Sequence, residues 1–236
     1  MREKVFRFKQ FSVLNDKTAM KVGTDGVLLG AWCSVDGAAS VLDVGTGCGV
    51  IALMIAQRNG HCRICGVDID ADAISEATHN FENSPWAERL CAECADYLSM
   101  PAGSNEFDLI VSNPPFFVNG VKSPDEARMK SRHVDVLPVG KLMEKAASML
   151  KENGKFCFIY PADNDTLVEE LVAFSKFNVC RKVHVVTLPG AKPKRTLWEL
   201  VLGRTDAECS VLSIENENHE FSEEYVGLTK NFYLKL

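Results

Sequence analysis

The feature that most restricts the fold is a cluster of glycines between two segments of opposite character. SVLDV (residues 40–44) is short, apolar and β-branched, the signature of a strand buried on both faces. GVIALMIAQRNG (49–60) is an apolar helical stretch closed by Gly60. Between them runs Asp43-x-Gly45-x-Gly47-x-Gly49, where the missing side chains let the backbone turn sharply and approach a ligand. Strand, glycine turn and helix form one βα unit, and a chain that repeats it must build a parallel sheet covered by helices.

The alternation continues. CRICGVD (62–68) reads as a strand, DADAISEATHNFENS (70–84) as a helix that Asp70 can cap, and a further strand is expected near Leu90. NEFDLIVS (105–112) is a strand. PVGKLMEKAASMLKENG (138–154) is a helix with Pro138 near its start and Gly154 after its end, the usual asymmetry. KFCFIY is a strand and DNDTLVEELVAFSKF an amphipathic helix. VCRKVHVVTL and RTLWELVLG are strands joined by PGAKPK. So short a connection makes that last pair antiparallel. The expectation is an α/β, Rossmann-like architecture: a mostly parallel seven-stranded sheet, helices on both faces, the last strand antiparallel. Before it, VFRFKQFSV reads as a hairpin arm and TDGVLLGAWC as a short helix capped by Thr24. With 236 residues, a single domain is expected: an arm and short helix over 1–38, the core sheet over 39–204, and a tail over 205–236 packed on the core.

Other function classes drop out. No run of about 18 apolar residues exists to span a membrane. MREKVFRFKQF is not a secretory signal, so a cytoplasmic protein is expected. The nine cysteines then read as thiols. Cys62-x-x-Cys65 and Cys91-x-x-Cys94 have the spacing of a zinc site, but residues three apart on a strand face opposite ways. No metal is expected and core packing is the reading for these thiols. The net charge of −6 argues against broad nucleic-acid binding and leaves room for a local basic patch.

Two chemical signals stand out. A dinucleotide enzyme would want G-x-G-x-x-G beneath a pyrophosphate. Here the spacing is G-x-G-x-G with Asp43 ahead of it, and an acid suits the cationic sulfonium and ammonium of S-adenosylmethionine better. Asp68, at the end of the second strand, is placed to accept hydrogen bonds from ribose hydroxyls. The second signal is Asn113-Pro114-Pro115-Phe116, at the end of NEFDLIVS. The lone pair of a ring-conjugated amine is delocalised. An enzyme restores its nucleophilicity by accepting both N–H groups, one on the Asn113 amide oxygen and one on the Pro114 carbonyl. The prolines fix that carbonyl, and Phe116 offers a ring on which a splayed base can stack. No metal or covalent intermediate is required.

The glycine turn resembles motif I of the class I methyltransferases, and NPPF resembles the NPP[YF] motif of those that act on amino groups. KVGTDGVLLGAW, SNPPFF, KPKRTLWEL and KNFYL together resemble one narrower family, the bacterial valine-tRNA adenine-37 N6-methyltransferases, along the chain from Phe8 to Leu236. Phe116 replaces the commoner tyrosine. The resemblance implies N6-methylation of adenine 37 in the anticodon loop of valine tRNA by a monomer. It places Thr24 and Asp25 over the cofactor, and Asp96, with Tyr97 beside it, against the cofactor's adenine; Ile69 completes the cofactor set. An anticodon base must unstack to enter such a site, and positive charge must hold the RNA. Lys192, Lys194 and Arg195 on the PGAKPK turn, Lys130 and Arg132 after NPPFF, and Arg181 with Lys182 are the candidates. The alternatives are another NPP[YF] enzyme acting on ribosomal RNA or on a protein glutamine, and an idle cofactor-binding fold that serves as an RNA or protein interaction module. A dehydrogenase is disfavoured by the glycine spacing.

Overall fold

A computed structural model describes residues 4–18, 20–102, 106–115 and 139–235. The main sheet has eight strands: β3 (Ser40–Val44), β4 (Arg63–Asp68), β5 (Leu90–Cys94), β6 (Phe107–Ser112), β7 (Leu150–Pro161), β8 (Asn178–Val186), β9 (Arg195–Val201) and β10 (Glu208–Ser213). Their order is β10-β8-β9-β7-β6-β3-β4-β5. Only β9 runs against its neighbours β7 and β8, as the short PGAKPK connection requires. The eighth strand, β10, lies in the stretch expected as a tail. It pairs in parallel with β8, yet its first four positions are exposed and only Leu212 is buried, so no apolar alternation announces it.

The first two strands, β1 (Val5–Arg7) and β2 (Ser12–Leu14), form the separate antiparallel hairpin. The helices are α1 (Thr24–Trp32), α2 (Val50–Arg58), α3 (Ala71–Glu82), α4 (Val139–Met149), α5 (Asp165–Ala173) and α6 (Glu223–Thr229). Asp70 caps α3 by accepting the Asp72 N–H at 2.9 Å. Thr24 does not cap α1: it is the first helical residue, and Gly23 stands at the cap without a side-chain bond. The fourth helix ends at Met149, short of Gly154, because Leu150 already pairs with Phe107 of β6.

Two apolar layers flank the sheet. One joins α1, α2 and the C-terminal helix to one face, with Leu28, Leu53, Met54 and Ile55 buried. The other packs α4 and α5 on the opposite face around Phe156, Phe158 and Trp198. Two of the cations expected to touch RNA belong to this framework instead. Arg181 pairs with the fully buried Glu199 at 2.6 Å and lies 4.3 Å over the Trp32 ring. Lys182 is held between Asp165 at 3.4 Å and Glu169 at 2.7 Å. Although burial opposes it, the bonds from Arg181 and Lys155 hold the Glu199 carboxyl down at about 2. The four cysteines divide: Cys62 is buried and Cys65 half-buried, but Cys91 and Cys94 are exposed on the edge strand β5, so core packing does not describe the second pair.

The chain runs β3-β4-β5 toward one edge and resumes at β6 on the other side of β3. Such a reversal leaves a crevice at the carboxyl ends of β3 and β6. Register decides what meets there. Val44 pairs with Ser112 on one side and Val67 on the other. Gly45, Asn113 and Asp68 therefore leave the sheet at one level, and Asp68 in turn pairs with Cys94, just before Ala95 and Asp96.

Candidate active site

A cavity of about 550 Å³ opens at that level. Thr24, Asp25, Gly45, Gly47, Asp68, Ile69, Asp96, Tyr97, Asn113 and Pro115 all line it. The glycine turn and the NPP segment, 68 residues apart in sequence by their first members Gly45 and Asn113, thus share one pocket.

Its floor is backbone. Gly45 and Thr46 donate their N–H groups to the Val67 carbonyl at 2.8 and 3.0 Å. Gly45, Gly47 and Gly49 have φ of 69°, 55° and 81°, a region that favours glycine. Gly49 lies outside the lining; a Cβ there would stand 2.4 Å from the Phe81 ring, so this glycine lets α3 approach the turn.

The acids divide by environment. Asp68 accepts the Gly47 N–H on Oδ2 and the Asp70 N–H on Oδ1, each at 3.0 Å; burial raises its carboxyl above the usual range. Asp43 is not in the lining. It is fully buried beneath the floor, accepts from Thr46 Oγ1 at 2.7 Å, and keeps its Oδ1 without a partner. Desolvation pushes its carboxyl up to about 7. Any influence on a ligand's positive charge acts from below, through the turn. Asp96 is exposed and caps the short helix Tyr97–Ser99 by accepting the Leu98 N–H at 3.0 Å. Ile69 is 59% exposed, an apolar surface at the mouth suited to a ring. Tyr97 is buried, with its hydroxyl unpartnered.

Asn113 carries the clearest chemical signal. Its Nδ2 donates to the Met20 sulfur at 3.4 Å, while its Oδ1 is buried and has no partner. A buried acceptor left open costs about 1–3 kcal/mol, and this one belongs to a residue of the cavity wall. Phe116, Lys130 and Arg132 lie outside the described residues. On the turn before β9, Arg195 donates from Nε to Asp25 at 2.8 Å, tying that turn to the cavity wall. Lys192 pairs with Asp163 at 2.6 Å, both largely exposed, so water screens the pair and its worth is small. Lys194 is exposed.

The sequence reading missed one wall. Thr18, Met20 and Lys21 line the cavity. The buried Glu76 of α3 holds their segment by accepting the N–H groups of Asp16, Lys17 and Thr18 at 2.5, 2.6 and 2.9 Å. Asn80, one turn on, accepts from Leu14 N–H and donates to the Leu14 and Cys48 carbonyls. A signal existed: the buried stripe of α3 is Ala73, Glu76, Ala77, Asn80 and Phe81. A carboxylate and an amide at core positions must be satisfied by something.

Comparison with known proteins agrees with this geometry. The methyltransferase small domain model matches residues 26–184. The chain is 41% identical over its whole length, and the whole of the relative's, to a tRNA1(Val) (adenine(37)-N6)-methyltransferase of Bacteroides fragilis. It is 44% identical to one of Phocaeicola vulgatus, covering 98% of each chain. Among solved structures, a protein from Agrobacterium tumefaciens described as a predicted O-methyltransferase superposes with a TM-score of 0.71 over 88% of this chain and 96% of its own. Its identity of 17% is evidence of a shared fold alone.

Proposed function

The chain belongs to the family of tRNA1(Val) (adenine(37)-N6)-methyltransferases, and from that premise we propose that it methylates N6 of adenine 37 in the anticodon loop of a valine tRNA, with S-adenosylmethionine as donor. The observation that carries the reading is Asn113 Oδ1: a buried acceptor without a partner, on the wall of the cavity that the glycine turn floors. The donor set suits this cofactor. Asp68 offers carboxylate oxygens for ribose hydroxyls, Ile69 and Tyr97 offer apolar surface for an adenine ring, and Thr24, Asp25 and Asp96 close the polar rim. When bound, the cofactor supplies an electrophilic methyl group.

The protein's part is to make a poor nucleophile react. The N6 amine of adenine shares its lone pair with the ring. Asn113 Oδ1 accepts one N–H and the Pro114 carbonyl accepts the other, so the nitrogen becomes pyramidal and its lone pair is freed. Pro114 and Pro115 fix the backbone that presents the carbonyl, and acceptors set in advance pay no reorganisation at the reactive moment. Phe116 is the surface on which the unstacked base rests. Arg195, tied to Asp25 on the cavity wall, with Lys192 and Lys194 on the same turn, and Lys130 and Arg132 after the NPP segment in sequence, are the proposed phosphate contacts.

The test is methylation of total tRNA with labelled cofactor, followed by mapping of the modified nucleotide. N6-methyladenine at position 37 of a valine tRNA is expected. Label in ribosomal RNA or in protein glutamine, with none in tRNA, would move the activity to another amine.

A further inference from the structure

The cations that the sequence nominates for RNA are largely occupied: Arg181, Lys182, Lys192 and Arg195 each face a carboxylate. The opposite holds at the other end of the chain. Residues 1–21 contain six Lys and Arg (2, 4, 7, 9, 17 and 21) against two acids (3 and 16), a net charge of +4, so the remaining 215 residues carry −10 of the chain's −6. Lys4, Arg7 and Lys17 are exposed. None of their side chains meets a carboxylate among the described residues.

The hairpin is also where the C-terminus docks. Phe8 bridges to Tyr233, the Lys9 N–H donates to the Phe232 carbonyl at 2.8 Å, and Lys9 Nζ donates to the Lys230 carbonyl at 2.6 Å. This brings Lys230 and Lys235, both exposed, to the same surface. Phe6, 37% exposed, stands among them with its ring 4.8 Å from that of Phe8. Two chain ends thus meet in a basic region that also exposes an aromatic ring, on an otherwise acidic body.

The third helix places this surface beside the pocket. Ala73 lines the cavity, Glu76 grips residues 16–18, and Asn80 grips Leu14 at the end of the hairpin. From Ala73 to Asn80 the helix rises only about 10 Å.

We infer that the hairpin and the docked C-terminal segment form a tRNA-binding surface, on which Lys4, Arg7, Lys17, Lys230 and Lys235 neutralise backbone phosphates next to the base held in the cavity. The inference rests on the proposed tRNA substrate. Unpaired surface cations cost nothing to desolvate from a partner acid and release the counterions of a polyanion when they bind. They contact phosphate, so they add affinity without reading sequence. Phe6 adds a ring face for a base or ribose near the phosphates.

The experiment uses the full chain. The triple variant Lys4→Glu, Arg7→Glu, Lys17→Glu spares Lys9, which ties the two termini together, and Lys21, which lines the cavity. Wild type and variant are titrated with valine tRNA across a salt series, and cofactor affinity and thermal unfolding are measured on both. The expected result is a Kd for tRNA raised tenfold or more at physiological salt, a log Kd against log salt slope shallower by about two to three, and unchanged cofactor affinity. The milder Lys4→Gln, Arg7→Gln, Lys17→Gln variant should fall between, which guards against a charge-reversed chain that misfolds. An unchanged Kd and slope in both variants, beside normal tRNA methylation, overturns the surface and leaves the enzymatic reading standing. A wild-type chain that neither binds nor methylates tRNA overturns both. Loss of binding to phosphatidylglycerol vesicles, with tRNA binding intact, would reassign the patch to a membrane and also overturns it.

Discussion

The cavity has two walls built in different ways. The floor, residues 44–49 and 67–69, is closed by neighbouring strands: Gly45 and Thr46 bond to Val67, Gly49 bonds back to Thr46 at 2.8 Å, and the left-handed φ values belong to glycines. The opposite wall, residues 14–18 with Met20 and Lys21, is a strap held mainly by side chains. The Leu14 N–H goes to Asn80 and the Asp16, Lys17 and Thr18 N–H groups to Glu76, about sixty residues away, while the carbonyls of Asn15, Asp16 and Thr18 accept from Lys21 Nζ. A wall held by backbone survives most single substitutions. A wall held by one buried carboxylate depends on that residue, and the two should therefore fail differently.

The largest effect is expected where the walls meet, at Asn113. Asn113→Ala should lower kcat by about a hundred- to a thousandfold, the usual loss when one preorganised polar contact is removed from a transition state. Cofactor Kd should stay within about twofold, because the alanine keeps the backbone of the NPP segment. Single-turnover methylation and calorimetry separate the two quantities. A collapse of cofactor binding with normal turnover at saturation would make Asn113 part of the floor and not the reacting wall.

Glu76→Ala comes next. It strips three N–H groups of a charged acceptor; a bond to a charged group contributes about 1.5–3 kcal/mol net, and because the three share one carboxylate and can turn to water once it is gone, a loss of about 2–4 kcal/mol is expected in urea unfolding. Cofactor affinity should fall with it, as the strap lifts. In the wild type the bonds from the strap hold the Glu76 carboxyl below its ordinary range, outweighing its burial. The folded chain therefore binds that proton less readily than the unfolded one. The stabilisation is present above the ordinary carboxylate range and drains away as pH falls through and below it. The variant should show a shallower acid limb. An identical limb would mean the strap is held by Asn80 and Lys21 alone.

What could be read from the sequence follows the same division. The floor was legible because strand, glycine turn and helix are contiguous, and Asp68 ends, and Asn113 follows, a strand that the alternation already marked. The strap was illegible because its partners are distant: Glu76 and Asn80 look like two polar residues on a helix until the stripe they share with Ala73, Ala77 and Phe81 is seen to be buried. The pairing of the basic turn was illegible for a similar reason, since nothing in KPKR announces that Asp25 and Asp163 sit opposite Arg195 and Lys192. The strand Glu208–Ser213 escaped because an exposed edge strand carries no apolar code.

A test of the floor by itself is Asp68→Ala. The carboxylate holds Gly47 N–H and Asp70 N–H, both close to solvent, so the fold should lose little. Cofactor Kd should rise about tenfold or more, the worth of one charge-assisted hydrogen bond. An unchanged Kd would transfer the ribose contact to Asp70 or Asp96.

The smallest expected effect probes the contact between the strap and the NPP segment, in which Met20 Sδ accepts from Asn113 Nδ2. An asparagine amide can face either way. A thioether accepts but does not donate, so it favours the orientation that leaves Oδ1 toward the cleft. Met20→Leu keeps nearly the same volume and removes the acceptor. If the contact is worth about half a kcal/mol, the flipped amide becomes about twofold more populated. A flipped amide presents N–H groups to an amine and cannot activate it. Turnover should therefore fall about twofold while cofactor affinity holds. The reverse pattern, a weaker cofactor with full turnover, would make the strap a lid on the cofactor with no share in orienting the residue that acts on the substrate.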